Sequence, residues 1–496
     1  MLVAVCGSGH GGDGGETVTA AGPDGPSARW SSVTIGSAES LIDAAVTVIA
    51  VEGDPVVVAG DTSFAAWVVG AKAEPTRMPD TPWEFFGLGG VARGPGPDGG
   101  LVVAGTGFAA GDEYGMPAAL VSQDGRRWEQ ADDGLAGTGA VRDVAATTHG
   151  FVAVGGLADR HDPEFGPFTP AAWWSTDGRE WQRLDLGVPE AALADGSAAG
   201  LVSVAADGER LVATDRDRVW LSPDEGETWE TVELPEATGI SVREAVHGPD
   251  GFLIVGVTDN YDENVRPRTW TSRDGTTWAP FTPPEGLLDG VDFPVAAATS
   301  QGFVVGGVTS INAFADPARC YADVVACNQA RGQVAALEDG SWSLLDTSGA
   351  GDTTTWRPEA LAVSGDDLVA VTRGEQLTLW RHNLAELPRL EPPELPEPTG
   401  PPPIETGAAL EVGGTYRYPL FIHCGAGYLG EFNGQHWFAT AGEGVADDDL
   451  RQFPIVQDNY LFGEVTVVAA DRIEYRVDNT LVRAYEPQPT EPPTCE

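Results

Sequence analysis

Acidic side chains are grouped with aromatic ones in several polar segments that follow short apolar stretches of the chain. Two carboxylates held a short distance apart can act as acid and base in glycoside cleavage. The candidate catalytic carboxylates of this kind are Asp162, Glu164, Asp262 and Glu263. Segments of the same type contain polar and aromatic side chains suited to the recognition of sugars, cations or protein loops: Asp112, Tyr114, His161, Tyr261 and Arg266. Solvated loops without a partner are the alternative.

Three arginines stand at related positions, each at the entry to an apolar stretch and each beside an acidic residue: Arg142, Arg243 and Arg357. Guanidinium groups that converge would bind an anion such as a carboxylate. Ion pairs with the acidic neighbours would leave the same pattern in the sequence. Both interpretations stay open at this level, and the three arginines are candidate ligand-binding residues.

The elements that must position these side chains repeat about every fifty residues, which indicates a repeat architecture. Seven short apolar strands begin at Val56, Leu101, Phe151, Leu211, Phe252, Phe303 and Leu368. Most units have four antiparallel strands, and a tryptophan is predicted to open the fourth strand at Trp83, Trp128, Trp181, Trp229, Trp278 and Trp342. The pattern predicts an all-β, seven-bladed β-propeller. The segment 29–35 has the same tryptophan-led alternation and is expected to complete the seventh blade, which would close the ring.

Four copies of a Ser-x-Asp turn precede four of these tryptophans. The Ser, Asp and Trp of each copy are Ser122, Asp124 and Trp128; Ser175, Asp177 and Trp181; Ser222, Asp224 and Trp229; Ser272, Asp274 and Trp278. The motif resembles the Asp-box (BNR, sialidase-like) repeat found in bacterial secreted proteins and surface lipoproteins. A strand should run into each serine, and aspartate and glycine should reverse the chain. Degenerate copies end at Trp83 and Trp342.

The resemblance implies a fold more than an activity. Asp-box sialidases have six blades, three arginines, a tyrosine nucleophile and an Arg-Ile-Pro type motif. Here the prediction is seven blades, and that motif is absent. In the families that have them, Asp-boxes stabilise rim turns, so the four copies are expected to be structural. Enzymatic activity is therefore uncertain, and glycoside hydrolysis is the activity to expect if there is one.

The charge balance restricts the partners. The chain has 75 acidic and 28 basic residues, a net charge of -47, and its one lysine is Lys72. A polyanion such as nucleic acid is an unfavourable partner for such a surface. No spacing typical of a metal site is present, and neither metal nor cofactor is predicted.

The five cysteines divide into one and four. Cys6, followed by a Gly-rich stretch, resembles the cleavage and lipidation site of bacterial lipoproteins, although Val5 stands where that site has a small residue. Cys320 with Cys327, and Cys424 with Cys495, could form two disulfides, and four free thiols are the alternative. Disulfides and a lipid anchor would place the protein outside the cytoplasm, at the cell surface or secreted.

Composition divides the chain into four parts. Residues 1–27 are a truncated signal and tether, 28–386 the propeller, 387–405 a Pro-rich linker, and 406–496 a small β-sandwich or barrel. The sequence predicts a monomeric binding or scaffold protein for a glycan, peptide or protein at the cell envelope. The alternatives are a glycoside hydrolase, and a structural propeller that presents a functional C-terminal domain.

Overall fold

The computed structural model describes residues 30–489, with the exception of 38–44, 50–53, 61–63, 77–80, 82, 96–98, 110–114, 132–134, 136, 159–167, 188–199, 216–217, 259–266, 285–286, 289–290, 292–293, 310–330, 351–355, 357, 374–375, 392–400, 403, 405, 423–425, 447–449, 451–452, 454, 457–459 and 478. The described residues are mostly in strands and turns, with a short 3-10 helix at Leu384–Glu386. None of their helices is long and apolar enough to cross a membrane.

The first strand, β1 (Ser31–Ser37), pairs with a strand that lies far along the chain. The strands after it form antiparallel sheets in the order of the sequence. Sheet 1 contains β2 (Ala45–Ile49), β3 (Val56–Gly60), β4 (Phe64–Val69) and β5 (Ala73–Pro75). Sheet 2 contains β6 (Trp83–Arg93), β7 (Leu101–Ala109), β8 (Met116–Ser122) and β9 (Glu129–Gln130). Sheet 3 contains β10 (Gly139–Ala146), β11 (Phe151–Leu157), β12 (Thr169–Ser175) and β13 (Gln182–Arg183).

Sheets 4 to 7 follow in the same order, and sheets 6 and 7 each include one further strand from elsewhere in the chain. Sheet 4 contains β14 (Ser203–Asp207), β15 (Arg210–Thr214), β16 (Arg218–Ser222) and β17 (Glu230–Glu233). Sheet 5 contains β18 (Ile240–Gly248), β19 (Gly251–Thr258), β20 (Pro267–Ser272) and β21 (Ala279–Pro280). Sheet 6 contains β22 (Val295–Thr299), β23 (Gly302–Thr309), β24 (Arg331–Glu338) and β25 (Ser341–Leu345). Sheet 7 contains β26 (Pro358–Ser364), β27 (Asp367–Arg373) and β28 (Gln376–Asn383).

Strand β1 is the fourth strand of sheet 7. It lies antiparallel to β28, with Ser31 opposite Arg381 and Ser37 opposite Gln376. This pairing agrees with the prediction that the segment 29–35 completes the last unit. Trp30 itself is buried and packs against Trp356, with ring centroids 5.9 Å apart.

Neighbouring sheets share their hydrophobic cores, and the sharing is cyclic. In the second strand of each sheet, consecutive residues point to the two sheets on either side. In β3, Val58 packs in the core shared with sheet 2, whereas Val57 packs in the core shared with sheet 7. The same alternation is found along every second strand from β7 to β27, through the cores that join sheets 2 and 3, 3 and 4, 4 and 5, 5 and 6, and 6 and 7.

One predicted strand assignment is wrong. Trp83 was expected to open the fourth strand of the first unit, but it begins β6, the first strand of sheet 2, opposite Ala109. The fourth strand of sheet 1 is the short β5. Trp83 belongs in β6 because its ring packs on Phe86 and covers Gly107 of β7, where an added Cβ atom would lie 2.5 Å from the indole.

The described ends of the segment after the seventh sheet contact the sheets on either side of it. A further strand, β29 (Arg389–Leu390), adds to the edge of sheet 6 by pairing with β25. At the other end, the buried Arg417 binds the proline carbonyls, its Nε donating to Pro401 O over 2.7 Å and its backbone N–H to Pro402 O over 3.0 Å. Arg389–Leu390 therefore belongs to a sheet, although it lies within the predicted linker.

The C-terminal strands form one antiparallel sheet with its own core, built around Trp437, Tyr475 and Tyr485. Its strands are β30 (Thr415–Phe421), β31 (Tyr428–Phe432), β32 (Gln435–Gly444), β33 (Ile455–Val456), β34 (Tyr460–Ala469), β35 (Arg472–Val477) and β36 (Thr480–Gln488). The order across the sheet is β30-β34-β35-β36-β32-β31, and β33 pairs with β34.

The four Ser-x-Asp turns have one hydrogen-bond pattern. In the copy that begins at Ser175, the serine Oγ accepts from Gly178 N over 2.9 Å, the Asp177 carboxylate accepts from Arg179 N over 2.8 Å, and Trp181 Nε1 donates to Gly178 O over 2.8 Å. The copies that begin at Ser122 and Ser272 repeat all three bonds within a few tenths of an ångström. The copy that begins at Ser222 keeps the serine and tryptophan bonds, and Asp224 accepts from Thr228 N, four residues on, over 2.8 Å. The side chains thus bind the turn's own backbone groups, as in other Asx and Ser turns.

Two constraints require glycine in each turn, the backbone conformation and the close contact with the preceding sheet. Gly125 has φ +72°, which only glycine adopts without strain. A Cβ atom there would lie 2.7 Å from Cγ2 of Val56 in sheet 1. By contrast, Gly340 in the degenerate turn of sheet 6 has φ +69°, and an added Cβ would meet nothing within 4 Å.

We predict that Gly125→Ala destabilises the protein more than Gly340→Ala. Both substitutions add left-handed backbone strain of about 1–2 kcal/mol, and only Gly125→Ala also forces apart two packed sheets, at about 1–3 kcal/mol more. Urea unfolding followed by tryptophan fluorescence measures the difference. Equal midpoints for the two variants would contradict the contact between this turn and sheet 1.

Candidate functional site

The first strands of several sheets are interrupted at the same place by a one-residue bulge. The register shifts between Val141 and Asp143 in β10 and between Val242 and Glu244 in β18, so that Arg142 and Arg243 are the bulged residues. Similar shifts occur at Leu88/Gly90 in β6 and Pro358/Ala360 in β26. Two of the three predicted arginines are therefore equivalent in the fold, Arg142 exposed and Arg243 half-buried. Arg357 lies outside the described residues.

The acidic neighbours of these arginines bind the backbone of adjacent sheets. One Asp143 carboxylate oxygen accepts from Val204 N (2.9 Å) and Ser203 Oγ (2.8 Å) of sheet 4. Ser203 Oγ in turn accepts from Ala245 N of sheet 5, over 3.1 Å.

The series continues one sheet further. Glu244 Oε2 accepts from Ala296 N of sheet 6, over 2.7 Å. The corresponding residue in sheet 2 is Gly90, which has no side chain that could accept from Val144 N. The second carboxylate oxygen of Asp143 accepts from that N–H instead, over 2.8 Å. These polar side chains thus connect the first strands of sheets 3 to 6.

Burial governs the ionisation of the two acids. Burial raises the pKa of Glu244 to about 8, with a further rise from the charge of Asp143, and the Ala296 N–H opposes the shift. Burial also raises the pKa of Asp143 to about 6, against three hydrogen-bond donors. Titratable groups shifted in this way occur at functional sites and in structural networks alike. Here both oxygens of Asp143 and Oε2 of Glu244 accept from backbone N–H groups, which indicates a structural role.

The predicted loop residues lie outside the part of the chain that the structure describes: Asp112, Tyr114, His161, Asp162, Glu164, Tyr261, Asp262, Glu263 and Arg266. The same is true of Cys6, Cys320, Cys327, Cys424 and Cys495. The carboxylate pairs, the loop surface and the two disulfides therefore remain predictions.

The structure has a cleft of about 640 Å³ between sheets 5 and 6, on the side where the Ser-x-Asp turns lie. On one side is the turn that follows Ser272, and on the other the two-residue turn of Asp339 and Gly340 between β24 and β25. Because this second turn is short, it leaves open the space that the longer turns fill by packing on the preceding sheet. The side chains that define the cleft are Asp250, Arg273, Asp274, Phe281, Phe303 and Asp339.

The lining combines apolar and charged surfaces. Phe281 lines the cleft and stacks on Trp342, with ring centroids 6.3 Å apart and an interplanar angle of 24°. Arg273 is exposed and makes no hydrogen bond or ion pair with another residue of the described part of the chain. The cleft thus offers guanidinium donors, carboxylate acceptors and an aromatic face to one ligand. Sequence reasoning missed it, although the degenerate turn ending at Trp342 was a visible signal.

The raised pKa of Glu244 predicts a pH dependence of stability. In the unfolded chain a glutamate ionises near pH 4, whereas folded Glu244 holds its proton until about pH 8. The folded protein binds more protons over this window, so its unfolding free energy falls as the pH rises from about 5 to 8. Glu244→Gln keeps an oxygen for Ala296 N and should lessen this fall, by on the order of 3 kcal/mol.

Urea unfolding midpoints at pH 5, 6, 7 and 8 test this prediction. Glu230→Gln, at an exposed position of β17, is the matched control and should follow the wild type. If Glu244→Gln and the wild type lose stability in parallel, the buried carboxyl does not control the slope.

Comparisons with known proteins give a distant likeness. Neither a family model nor a curated protein matches the sequence. Among solved structures, YCF48 bound to D1 peptide matches with a TM-score of 0.43 at 14% identity, over 73% of this chain and 98% of that one. An alpha-L-arabinanase from Penicillium chrysogenum complexed with arabinobiose gives 0.43 at 16%, over 72% and 99%. YCF48 from Cyanidioschyzon merolae gives 0.42 at 12%, over 72% and 100%. Likenesses this weak carry no argument about what the protein does.

Proposed function

We propose that the seven sheets are the blades of a seven-bladed, Asp-box type β-propeller spanning residues 28–386. Support comes from the cyclic sharing of cores between sheets, from β1 as the fourth strand of sheet 7, and from the common hydrogen-bond pattern of the four turns. Residues 406–496 form a small β domain of sandwich or barrel type, following the linker 387–405.

We further propose that the protein acts outside the cytoplasm as a binding or scaffold protein, held at the cell surface through a lipid on Cys6. The support is the composition: the Gly-rich tether after that cysteine, and an even number of remaining cysteines suited to two disulfides. A net charge of -47 favours solubility at such a surface.

The cleft between sheets 5 and 6 is the observation that carries the binding function. Its volume of about 640 Å³ falls within the usual range for small-ligand sites. A hexose ring has apolar C–H faces and a rim of hydroxyls, and an extended peptide has alternating apolar side chains and amides. Either could pack on Phe281 while its polar groups pair with Arg273 and Asp274. The ligand is therefore a short glycan or peptide segment.

A glycoside hydrolase is the second candidate, with the loop carboxylates Asp162, Glu164, Asp262 and Glu263 as its candidate acid and base. Asp143 and Glu244 are not assigned to this pair, because their oxygens accept hydrogen bonds from the backbone of neighbouring sheets. Release of reducing sugar from a panel of polysaccharides, lost when the loop carboxylates are replaced by amides, would establish the hydrolase.

We predict that Arg273→Ala weakens ligand binding at the cleft. A glycan and peptide array identifies the ligand, and calorimetry with the best hit should show at least about tenfold weaker binding for the variant, because a charged hydrogen bond is lost. Arg127→Ala is the matched control, since Arg127 is an exposed arginine on the equivalent turn of sheet 2. Unchanged affinity in Arg273→Ala would remove the cleft as the binding site.

A further inference from the structure

Three turns meet where sheet 3 contacts sheet 4, and each contributes a side chain able to bind a metal ion. His149 lies in the turn between β10 and β11, Glu209 in the turn between β14 and β15, and Glu225 in the turn between β16 and β17. One ligand atom from each residue lies within 4.8 Å of the other two. This junction is separate from the cleft and from the half-buried acids Asp143 and Glu244.

The central side chain of this group is Glu225. Its side chain is 12% exposed, and its Oε1 lies 2.7 Å from His149 Nδ1. The other carboxylate oxygen accepts from Thr147 Oγ1 over 3.0 Å, and the Glu225 backbone N–H donates to Glu209 O over 2.6 Å. Contacts from both sheets thus orient Glu225. His149 and Glu209 are exposed and can adjust around an ion.

The sequence shows that this arrangement does not belong to the repeat. In the other three turns glycine directly follows the aspartate, whereas the turn from Ser222 to Trp229 has Glu225 inserted between Asp224 and Gly226. The inserted residue has φ +55°, a conformation that a non-glycine residue adopts at a cost. At the next junction, between sheets 4 and 5, Arg210 lies near Asp207 and Asp274, and the described residues there include no comparable group of three ligands.

We propose that His149, Glu209 and Glu225 bind one divalent cation of the borderline class, such as Zn²⁺. An imidazole with two carboxylates is a ligand set that zinc accepts, with water completing the tetrahedron. Calcium and magnesium favour oxygen ligands alone, so the imidazole selects against them.

The geometry requires a modest adjustment. Ligand atoms about 2.0–2.1 Å from one zinc ion lie roughly 3.3 Å apart in a tetrahedron. Glu209 must therefore approach the other two groups by up to about 1.5 Å, whereas His149 Nδ1 and Glu225 Oε1, 2.7 Å apart, must separate by roughly 0.6 Å to admit the ion. The ion would replace the hydrogen-bonding proton between His149 and Glu225, and the Thr147 hydroxyl would hold the carboxylate in place as an outer-shell partner.

Binding would connect two sheets and neutralise a local concentration of negative charge. Glu209 and Glu225 are two carboxylates placed side by side in a chain of net charge -47. A ligand bound only to the folded state raises its stability. We therefore assign the site a stabilising role between sheets 3 and 4 and no catalytic role.

The test is isothermal titration of Zn²⁺ into the full chain after treatment with EDTA and dialysis, followed by thermal unfolding with and without Zn²⁺. The wild type should bind one ion that is lost, or bound at least about tenfold more weakly, in His149→Ala and in Glu209→Gln. Glu227→Gln is the matched control, because Glu227 is an exposed carboxylate in the same turn outside the cluster.

Each outcome bears on the proposal. Supporting results are loss of the ion in both cluster variants, its retention in Glu227→Gln, and a zinc-dependent rise in the unfolding temperature only where the ion is retained. Wild-type protein that binds no Zn²⁺ below millimolar concentration overturns the proposal. It is also overturned if His149→Ala binds with wild-type stoichiometry and affinity, since the ion would then lie elsewhere.

Discussion

The second strand of each sheet is apolar on both of its faces, and the rest of the seven-sheet unit depends on burying both. In β3 every residue from Val56 to Gly60 is buried, and neighbouring side chains point into different cores. A strand of this kind needs a sheet packed on each side of it, because exposing either face to water would cost about 25 cal/mol for every Å² of apolar surface. A linear stack would leave its two end sheets unsatisfied. Sharing a core between sheets 7 and 1 meets the requirement for all seven, and β1 fixes that contact by joining sheet 7.

The turns add to this packing a fixed spacing between successive sheets. Each Ser-x-Asp turn satisfies its own backbone groups, so it keeps one shape regardless of its neighbours, and its glycine then contacts the preceding sheet. Two ion pairs bridge the same junctions, Arg126 with Glu74 and Arg179 with Glu129, both at 2.5 Å. Their side chains are between 37% and 65% exposed, so these pairs contribute little to stability and mainly orient the turn surface.

The sequence predicted the features that depend on local pattern. The second strands, the four turns and the placement of β1 follow from apolar alternation and from turn residues at constant offsets. Trp83 was misassigned because its position depends on Gly107, a contact across strands that the tryptophan pattern does not encode. The bulges at Arg142 and Arg243 were equally invisible, since a bulge is defined by the partner strand. The roles of Asp143 and Glu244 depend on backbone N–H groups of other sheets, and no spacing rule links those residues.

A repeat also determines where a chain can change without losing its core. Because the second strand of each sheet is packed on both faces, an inserted or deleted residue cannot be absorbed there without turning apolar side chains away from their neighbours. It can be absorbed in a turn, where it alters only the surface between two sheets. Both departures described here are of this type: the short turn of Asp339 and Gly340 leaves a cleft beside sheet 5, and the inserted Glu225 places a carboxylate against His149 of sheet 3. In a fold this regular, the irregular turns are therefore the places where sites specific to this protein can arise.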